Sequence, residues 1–233
     1  MKRMSTRAKV ITGIAAFVVV LGGLAIAFGP AFYRDVIVGP AAADPVEDLG
    51  TLAPSTLAAD ELAGEWSVSD GSYAGYRVDE VLNGTDITVT ARTETVTGTV
   101  TATSTEITAA SINVDVASIA TDEAARDMYF RTQAINTSEY PTATFVLTQP
   151  ITASTEPASG EPQTVSATGT LTLNGVSTDV TVEITAALDG DNVRLAGQIP
   201  ITFSDFNVTA PNLGFVKVED TGYVEFLLDL AKA

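Results

Sequence analysis

The stretch SINVDVASI, residues 111–119, decides the fold class. Its apolar residues Ile112, Val114 and Val116 alternate with polar ones, which is the period of a strand with one buried face. The same alternation returns in segments where threonine fills most outward positions, as suits a solvated sheet. These segments are DITVTART, VTGTVTAT, TATFVLT, TGTLTL, STDVTVEIT and GYVEFLLDL. The pattern therefore predicts an all-β domain over residues 65–233.

Turn signals indicate how these strands connect. Asn174 and Gly175 separate two of them and are typical of a type I′ hairpin turn, which needs positive φ at both positions. One short helix is predicted after Thr121, which we expect to cap it, and Pro141 prevents its continuation. Seven or more strands and one helix leave a sandwich or a closed barrel as the architecture.

Composition excludes many functions. The chain has no cysteine and no histidine, so thiolate nucleophiles, imidazole bases and the usual zinc ligands are absent. Its net charge of −17 disfavours nucleic acid and anionic lipid headgroups. Neighbouring acids such as Asp122 with Glu123, or Glu219 with Asp220, diverge in space more often than they form an acid–base pair. We expect no catalytic residues, no metal site and no enzyme activity, although residues 188–192 offer two carboxylates for calcium as an alternative.

The N-terminus predicts an export signal. Residues 1–9 form a basic tail, and residues 10–28 are an uncharged stretch of about 28 Å as a helix, enough to span a bilayer. The positive charges before it predict a cytoplasmic N-terminus and an extracytoplasmic domain at the cell membrane. The alternative is a cleaved signal peptide, because AIA at residues 25–27 resembles a peptidase site. Residues 29–64 are rich in proline and predict a tether, unless the apolar residues 36–38 pack on the domain as an edge element.

Several blocks of the domain resemble a known family in order. They are WSVSDGSYAGYRVDE from Trp66, SINVDVASIAT followed by ARDMYFRTQAINTSEYPTATF, GTLTLNGVSTDVTVEI, and FVKVEDTGYVEFLLDLAK. The sequence is similar in these blocks to the YceI-like family. Many members carry histidines near the first strand and after the Arg-Asp pair, whereas here Ser72 precedes Tyr73 and Asp127 precedes Met128.

The resemblance implies an extended, eight-stranded antiparallel lipocalin-like barrel with one short helix inserted and a long polyisoprenoid in its pore. It also implies that Arg126 and Asp127 mark the helix between two strands, and we expect them to act as a structural clamp. With alternation, it predicts a pore lining, for which solid core packing remains the alternative. The predicted lining is Tyr76, Val78, Val114, Val116, Met128, Phe130, Phe145, Leu147, Leu171, Leu173, Phe203, Phe206, Phe226 and Leu228.

The leading hypothesis is a membrane-anchored, extracytoplasmic binding protein for an isoprenoid lipid of the quinone or polyprenyl type. The lipid would be its one bound small molecule, and no other cofactor is expected. The alternatives are an envelope protein-interaction module with a packed barrel, and an enzyme that uses paired carboxylates. The lipid-binding hypothesis needs only an apolar pore, because each buried CH₂ of the lipid contributes about 0.8 kcal/mol.

Overall fold

The computed structural model describes residues 41–82, 84–153, 161–212, 214 and 216–233. Within these ranges, no helix is long and apolar enough to cross a membrane. The basic tail, the predicted transmembrane helix of residues 10–28 and the apolar residues 36–38 lie outside them. So do residues 154–160.

Within the described ranges, the domain contains eleven β segments and one short α-helix. The strands are β1 (Gly64–Val68), β2 (Tyr73–Leu82), β3 (Thr85–Thr93), β4 (Val96–Ala102), β5 (Glu106–Asp115), β6 (Thr142–Leu147), β7 (Ile151–Thr152), β8 (Gln163–Leu173), β9 (Val176–Asp189), β10 (Asn192–Thr202) and β11 (Val216–Lys232). The helix α1 (Ala124–Tyr129) runs into a π-helical turn, Phe130–Ala134, and lies between β5 and β6.

The eleven segments form eight strands of a closed antiparallel barrel. β1 and β2 both pair antiparallel with β11, so they are two halves of one bent strand, and β3 and β4 continue each other in the same way. β6 and β7 both pair with β5. Pairing runs from β4 through β5, β6, β8, β9 and β10 to β11, and β1 closes the ring between β11 and β4. This closure confirms the predicted barrel, although among the described residues β3 pairs with β2 as its only strand neighbour.

The structure confirms the predicted hairpin turn between β8 and β9 but not the predicted cap of α1. Asn174 and Gly175 join β8 to β9 with φ of 50° and 75°, as a type I′ turn requires. The predicted cap of α1 is wrong, because the side chain of Glu123, not Thr121, accepts a hydrogen bond from the backbone N–H of Ala125. The hydroxyl of Thr121 instead accepts a hydrogen bond from the N–H of Glu123, in the turn that precedes the helix.

Helix α1 closes a gap in the barrel wall. At this end, β3 pairs with β2, and it contacts the segment after β5 through a β-bridge between Arg92 and Ala120 and a hydrogen bond between the hydroxyls of Thr93 and Ser118. The connection between β5 and β6, including α1, fills the space that a continued β3–β5 ladder would occupy. We call this end of the barrel the helix end, and the end formed by the β4–β5 and β9–β10 turns the far end.

Residues 41–63, here called the strap, correct the predicted tether. They lie against the outer wall of the barrel, where Leu49 is buried with Ala196 and Leu227. Leu62 joins the main core at the far end. The sequence pattern suggested a spacer because the strap is short of periodic apolar residues, but its contacts are made mainly by backbone carbonyls.

Four of the seven basic side chains from residue 65 onward hold the strap. Arg77 donates to the carbonyls of Ala42 and Ala43, and Arg92 to that of Ala43 and to the carboxylate of Asp48. Arg194 donates to the carbonyl of Leu49, and Lys232 to those of Glu61 and Ala63. Beneath the strap, the fully buried Glu225 accepts from Arg77 at 2.9 Å and from Arg92 at 2.7 Å.

Candidate functional site

The interior of the barrel contains three apolar cavities in a row. Their volumes are about 150 Å³ at the helix end, 80 Å³ in the middle and 120 Å³ at the far end. The first two share walls at Ala74, Ala143 and Leu171, and the last two share walls at Val100 and Leu195. They therefore follow one another along the barrel axis, and the middle cavity has the smallest volume; we call this row of cavities the tunnel.

The tunnel is long compared with one leaflet of a bilayer. Gln163 at the start of β8 lines the far-end cavity, and Leu173 at its end lines the helix-end cavity. These residues are about 33 Å apart along the strand, or about 25 Å along the axis for a usual strand tilt. One leaflet's hydrocarbon is about 15 Å thick, half of the bilayer core. The row of cavities thus extends along the axis over more than the thickness of one leaflet's hydrocarbon.

Most of the residues predicted to line the pore line this tunnel. Alternation placed them because every second residue of a barrel strand points inward. Those in the helix-end cavity are Tyr76, Val78, Val114, Val116, Phe130, Leu171, Leu173 and Phe203. Those in the middle cavity include Phe145, Leu147, Phe226 and Leu228, and Val114 and Leu171 reach both cavities.

Met128 and Phe206 are not in the tunnel wall. The side chain of Met128 is 65% exposed on α1, because the face of the helix that packs inward carries Arg126, Tyr129 and Phe130 instead. Phe206 lies in a 3₁₀ helix after β10 and is 1% exposed, packed in the core outside the three cavities. The prediction that Met128 faces the apolar interior is therefore wrong, and Phe206 supports the wall without lining it.

Inward glycines beside the phenylalanines are a feature that alternation alone missed. A Cβ at Gly169 would collide with the ring of Phe145, and one at Gly197 would lie 3.0 Å from that of Phe226. Because these glycines have no side chain, the rings lie over the wall of the narrow middle cavity. Glycine inside a strand pattern, as in ATGTLTL and LAGQI, is the signal that marks such a close approach.

Polar atoms reach the wall of the helix-end cavity at Tyr76, Glu80 and Arg126. The Tyr76 ring packs on Phe130 with centroids 5.0 Å apart, and its hydroxyl makes no hydrogen bond to any described residue. Burial raises the pKa of Tyr76, so the hydroxyl stays protonated. Burial also raises the pKa of Glu80, and the positive charge of Arg126, 3.7 Å away, offsets part of that rise. This end of the tunnel can therefore offer hydrogen bonds to a polar headgroup.

Arg126 and Asp127 contact different neighbours, as their spacing on a helix predicts. Arg126 forms ion pairs with Glu80 on β2 and, at 3.4 Å, with Asp122 one turn earlier. Oδ1 of Asp127 accepts hydrogen bonds from the N–H and the hydroxyl of Thr121, both at 2.8 Å. These contacts attach α1 to the wall and to the loop before it, which is the geometry of a clamp; its effect on stability remains a prediction.

Trp66 and Leu62 of the strap line the cavity at the far end of the tunnel. The indole of Trp66 is 2% exposed and donates to the carbonyl of Leu62 at 3.0 Å. The ammonium of Lys232 lies 4.7 Å from the centre of the same ring, a cation–π contact. Threonine and serine of the β4–β5 turn complete the wall there. Trp66 and Leu62 therefore hold the strap to the rim of this end.

Comparison with known proteins agrees with this architecture. A model of the YceI-like domain matches residues 67–230. The chain belongs to the YceI-like family. No curated protein sequence matches it.

Two solved structures share the fold of this YceI-like chain. One is a polyisoprenoid binding domain from Saccharophagus degradans implicated in plant cell wall breakdown, with 18% identity and a TM-score of 0.57. That match covers 73% of this chain and 99% of the other. The second is BcnA from Burkholderia cenocepacia, with 24% identity, a TM-score of 0.56, and coverage of 70% of this chain and 98% of the other.

Proposed function

We propose that this YceI-like protein binds a long isoprenoid lipid, of the quinone or polyprenyl type, with the tail in the barrel tunnel. The observation that carries the proposal is a row of three apolar cavities that extends over about 25 Å of the barrel axis, more than the thickness of one leaflet's hydrocarbon. The polyisoprenoid binding domain from Saccharophagus degradans has the same fold, which supports an isoprenoid over other apolar chains.

The tunnel provides enough apolar contact for useful affinity. Burying ten carbons contributes about 8 kcal/mol, which corresponds to a dissociation constant near micromolar before the costs of association. The lipid head lies at the helix end in this proposal, where Tyr76 can donate a hydrogen bond and Arg126 lines the wall. We propose a binding role without catalysis, since the sequence has neither histidine nor cysteine and the tunnel wall is almost entirely apolar.

We further propose that residues 10–28 anchor the protein in the cell membrane, with the barrel on the extracytoplasmic side. Support comes from the length of this uncharged stretch and from the basic residues before it. Flotation of the full chain with phosphatidylcholine vesicles tests the anchor. A protein that stays in the dense fractions, or that lacks these residues after expression in its host, contradicts it.

A blocked tunnel provides the decisive test of lipid binding. Ala143 lines both the helix-end and the middle cavity, so Ala143→Phe should fill their junction. The matched control is Ala109→Phe, which places the same ring on the exposed outer face of β5. Overpacking at Ala143 costs about 1–3 kcal/mol, so both variants should still fold.

Lipids extracted from each purified protein are identified by mass spectrometry. We expect a prenyl lipid with the wild type and with Ala109→Phe, and none with Ala143→Phe. If no prenyl lipid co-purifies with the wild type, and a long-chain ubiquinone or a polyprenyl phosphate does not raise its melting temperature, the carrier proposal fails. The packed interaction module then takes its place.

A further inference from the structure

The path of the strap shows from which part of the barrel the N-terminal region departs. Leu49 lies against Leu227 of β11, and the guanidinium of Arg92, which holds Asp48 and Ala43, contacts Glu225 of the same strand. Going backwards along the chain, each contact lies further along β11 towards the helix end.

Ala42 marks the last step of this path. Its carbonyl accepts from Arg77, and its N–H donates to the hydroxyl of Thr90. Arg77 pairs in register with Tyr223 of β11 and with Thr90 of β3. Along β11, Tyr223 is about 23 Å from the first residue at the helix end and about 30 Å from Lys232 at the far end. The same position on β2 is only about 17 Å from Leu82, the last residue of that strand at the helix end.

The length of chain before the strap limits how the barrel can sit on a membrane. Residues 29–40 separate the proposed transmembrane helix from the strap, and twelve residues reach about 40 Å at most. If the far end faced the bilayer, this segment would have to double back about 23 Å along the barrel axis, after correction for strand tilt, and cross a headgroup layer of about 6 Å. That uses about 29 Å of its reach, whereas the helix end needs about 19–24 Å and leaves the segment more of its conformations.

We propose that the helix end of the tunnel faces the bilayer and that the lipid enters and leaves beside α1. This orientation rests on the membrane anchor proposed above. It brings the polar groups at Tyr76 and Arg126 next to the layer in which lipid headgroups lie. The exposed Met128 then projects from α1 towards the membrane surface.

The partner of the helix end is the bilayer itself. The membrane anchor, and not charge attraction, holds the helix end against it. Exposed Glu219 and Asp220 lie near the rim of the helix end and repel anionic headgroups. The proposal therefore predicts contact through tethering, and zwitterionic vesicles are the appropriate test because they remove this repulsion.

Single-cysteine labelling tests the orientation without background, since the chain contains no cysteine. Met128→Cys places a donor dye at the helix end, and Thr105→Cys places it in the β4–β5 turn at the far end; both side chains are exposed. Substitutions at such positions change stability by about 0.5 kcal/mol or less. Each full-length variant is reconstituted in phosphatidylcholine vesicles that carry a rhodamine headgroup acceptor.

We expect energy transfer to the acceptor to be several-fold stronger from position 128 than from position 105. Inserting twelve Gly and Ser residues between residues 39 and 40 should reduce that difference, because the doubled reach frees both ends. Equal transfer from the two positions, or stronger transfer from position 105, in vesicles that carry the protein overturns the orientation alone. Failure of the protein to float with the vesicles overturns the anchor, and the orientation with it.

Discussion

Replacing Glu225 by Gln should destabilise the barrel strongly, although its side chain faces away from the tunnel. Its side chain is 0% exposed, and its two oxygens accept from Nε of Arg77 and Nε of Arg92. An amide has one acceptor oxygen, so its NH₂ group would meet one arginine donor face to face. The cluster formed with Asp48 also changes from neutral to a net charge of +1.

The size of the effect follows from burial. Breaking a buried ion pair costs about 3–5 kcal/mol, and we expect the lower value because both arginines keep carbonyl partners in the strap. For a domain of this size, about 3 kcal/mol corresponds to a fall in melting temperature of about 6–12 °C. Thermal unfolding followed by the fluorescence of Trp66, the single tryptophan, measures it.

The matched control is Glu183→Gln, at an exposed position on β9, which should change stability by about 0.5 kcal/mol or less. Limited proteolysis provides a second measurement, since a loosened strap becomes a substrate before the barrel unfolds. If Glu225→Gln melts within 1–2 °C of the control and the strap stays protected, the buried cluster does not hold the strap and the reasoning is refuted.

Three further changes test the clamp, the buried acid and the tunnel wall. Asp127→Ala should lower the free energy of unfolding by about 1–3 kcal/mol in a urea titration, while Asp127→Asn loses less because its amide oxygen still accepts; equal losses would contradict the clamp. The raised pKa of Glu80 means that its ionisation costs stability as pH rises from its usual 4.5 through the higher folded pKa. Melting temperatures of the wild type relative to Glu80→Gln should therefore fall over that range, and a constant difference would exclude the effect. Gly169→Ala should push the ring of Phe145 into the middle cavity and reduce the prenyl lipid found by mass spectrometry; undiminished lipid would show that this ring does not limit the passage.

Alternation predicted the strands and most of the residues of the inner wall, whereas the resemblance to the YceI-like family predicted the barrel. A strand has a period of two, so Val114 and Phe226 point inward in any antiparallel barrel built from these segments. The turn at Asn174 was equally local, because positive φ at two successive positions is a property of the residues themselves. The orientation of Met128 was harder to predict. Met128 and Tyr129 are neighbours on a short helix and both suit an apolar face, and which of them points inward depends on how α1 packs against the barrel.

The strap was missed for a different physical reason. Its contacts to the barrel are chiefly backbone carbonyls that accept from Arg77, Arg92, Arg194 and Lys232, and a carbonyl is the same at every residue. Apart from Asp48, which pairs with Arg92, the side chains of residues 41–63 therefore do not record which basic residues they meet. The inward glycines were missed because each makes space for a phenylalanine ring on a neighbouring strand, and that phenylalanine is distant in sequence.

The amino-acid sequence by itself determined the all-β class, the hairpin between β8 and β9, the inward set of apolar residues, and the membership of the family. All of these depend on local periodicity or on motifs of adjacent residues. Only the tertiary structure decided that the interior is a passage with three cavities, and that the strap is part of the folded domain. Tunnel volume and long-range ion pairs arise from the distances between strands, which the order of residues along one strand does not contain.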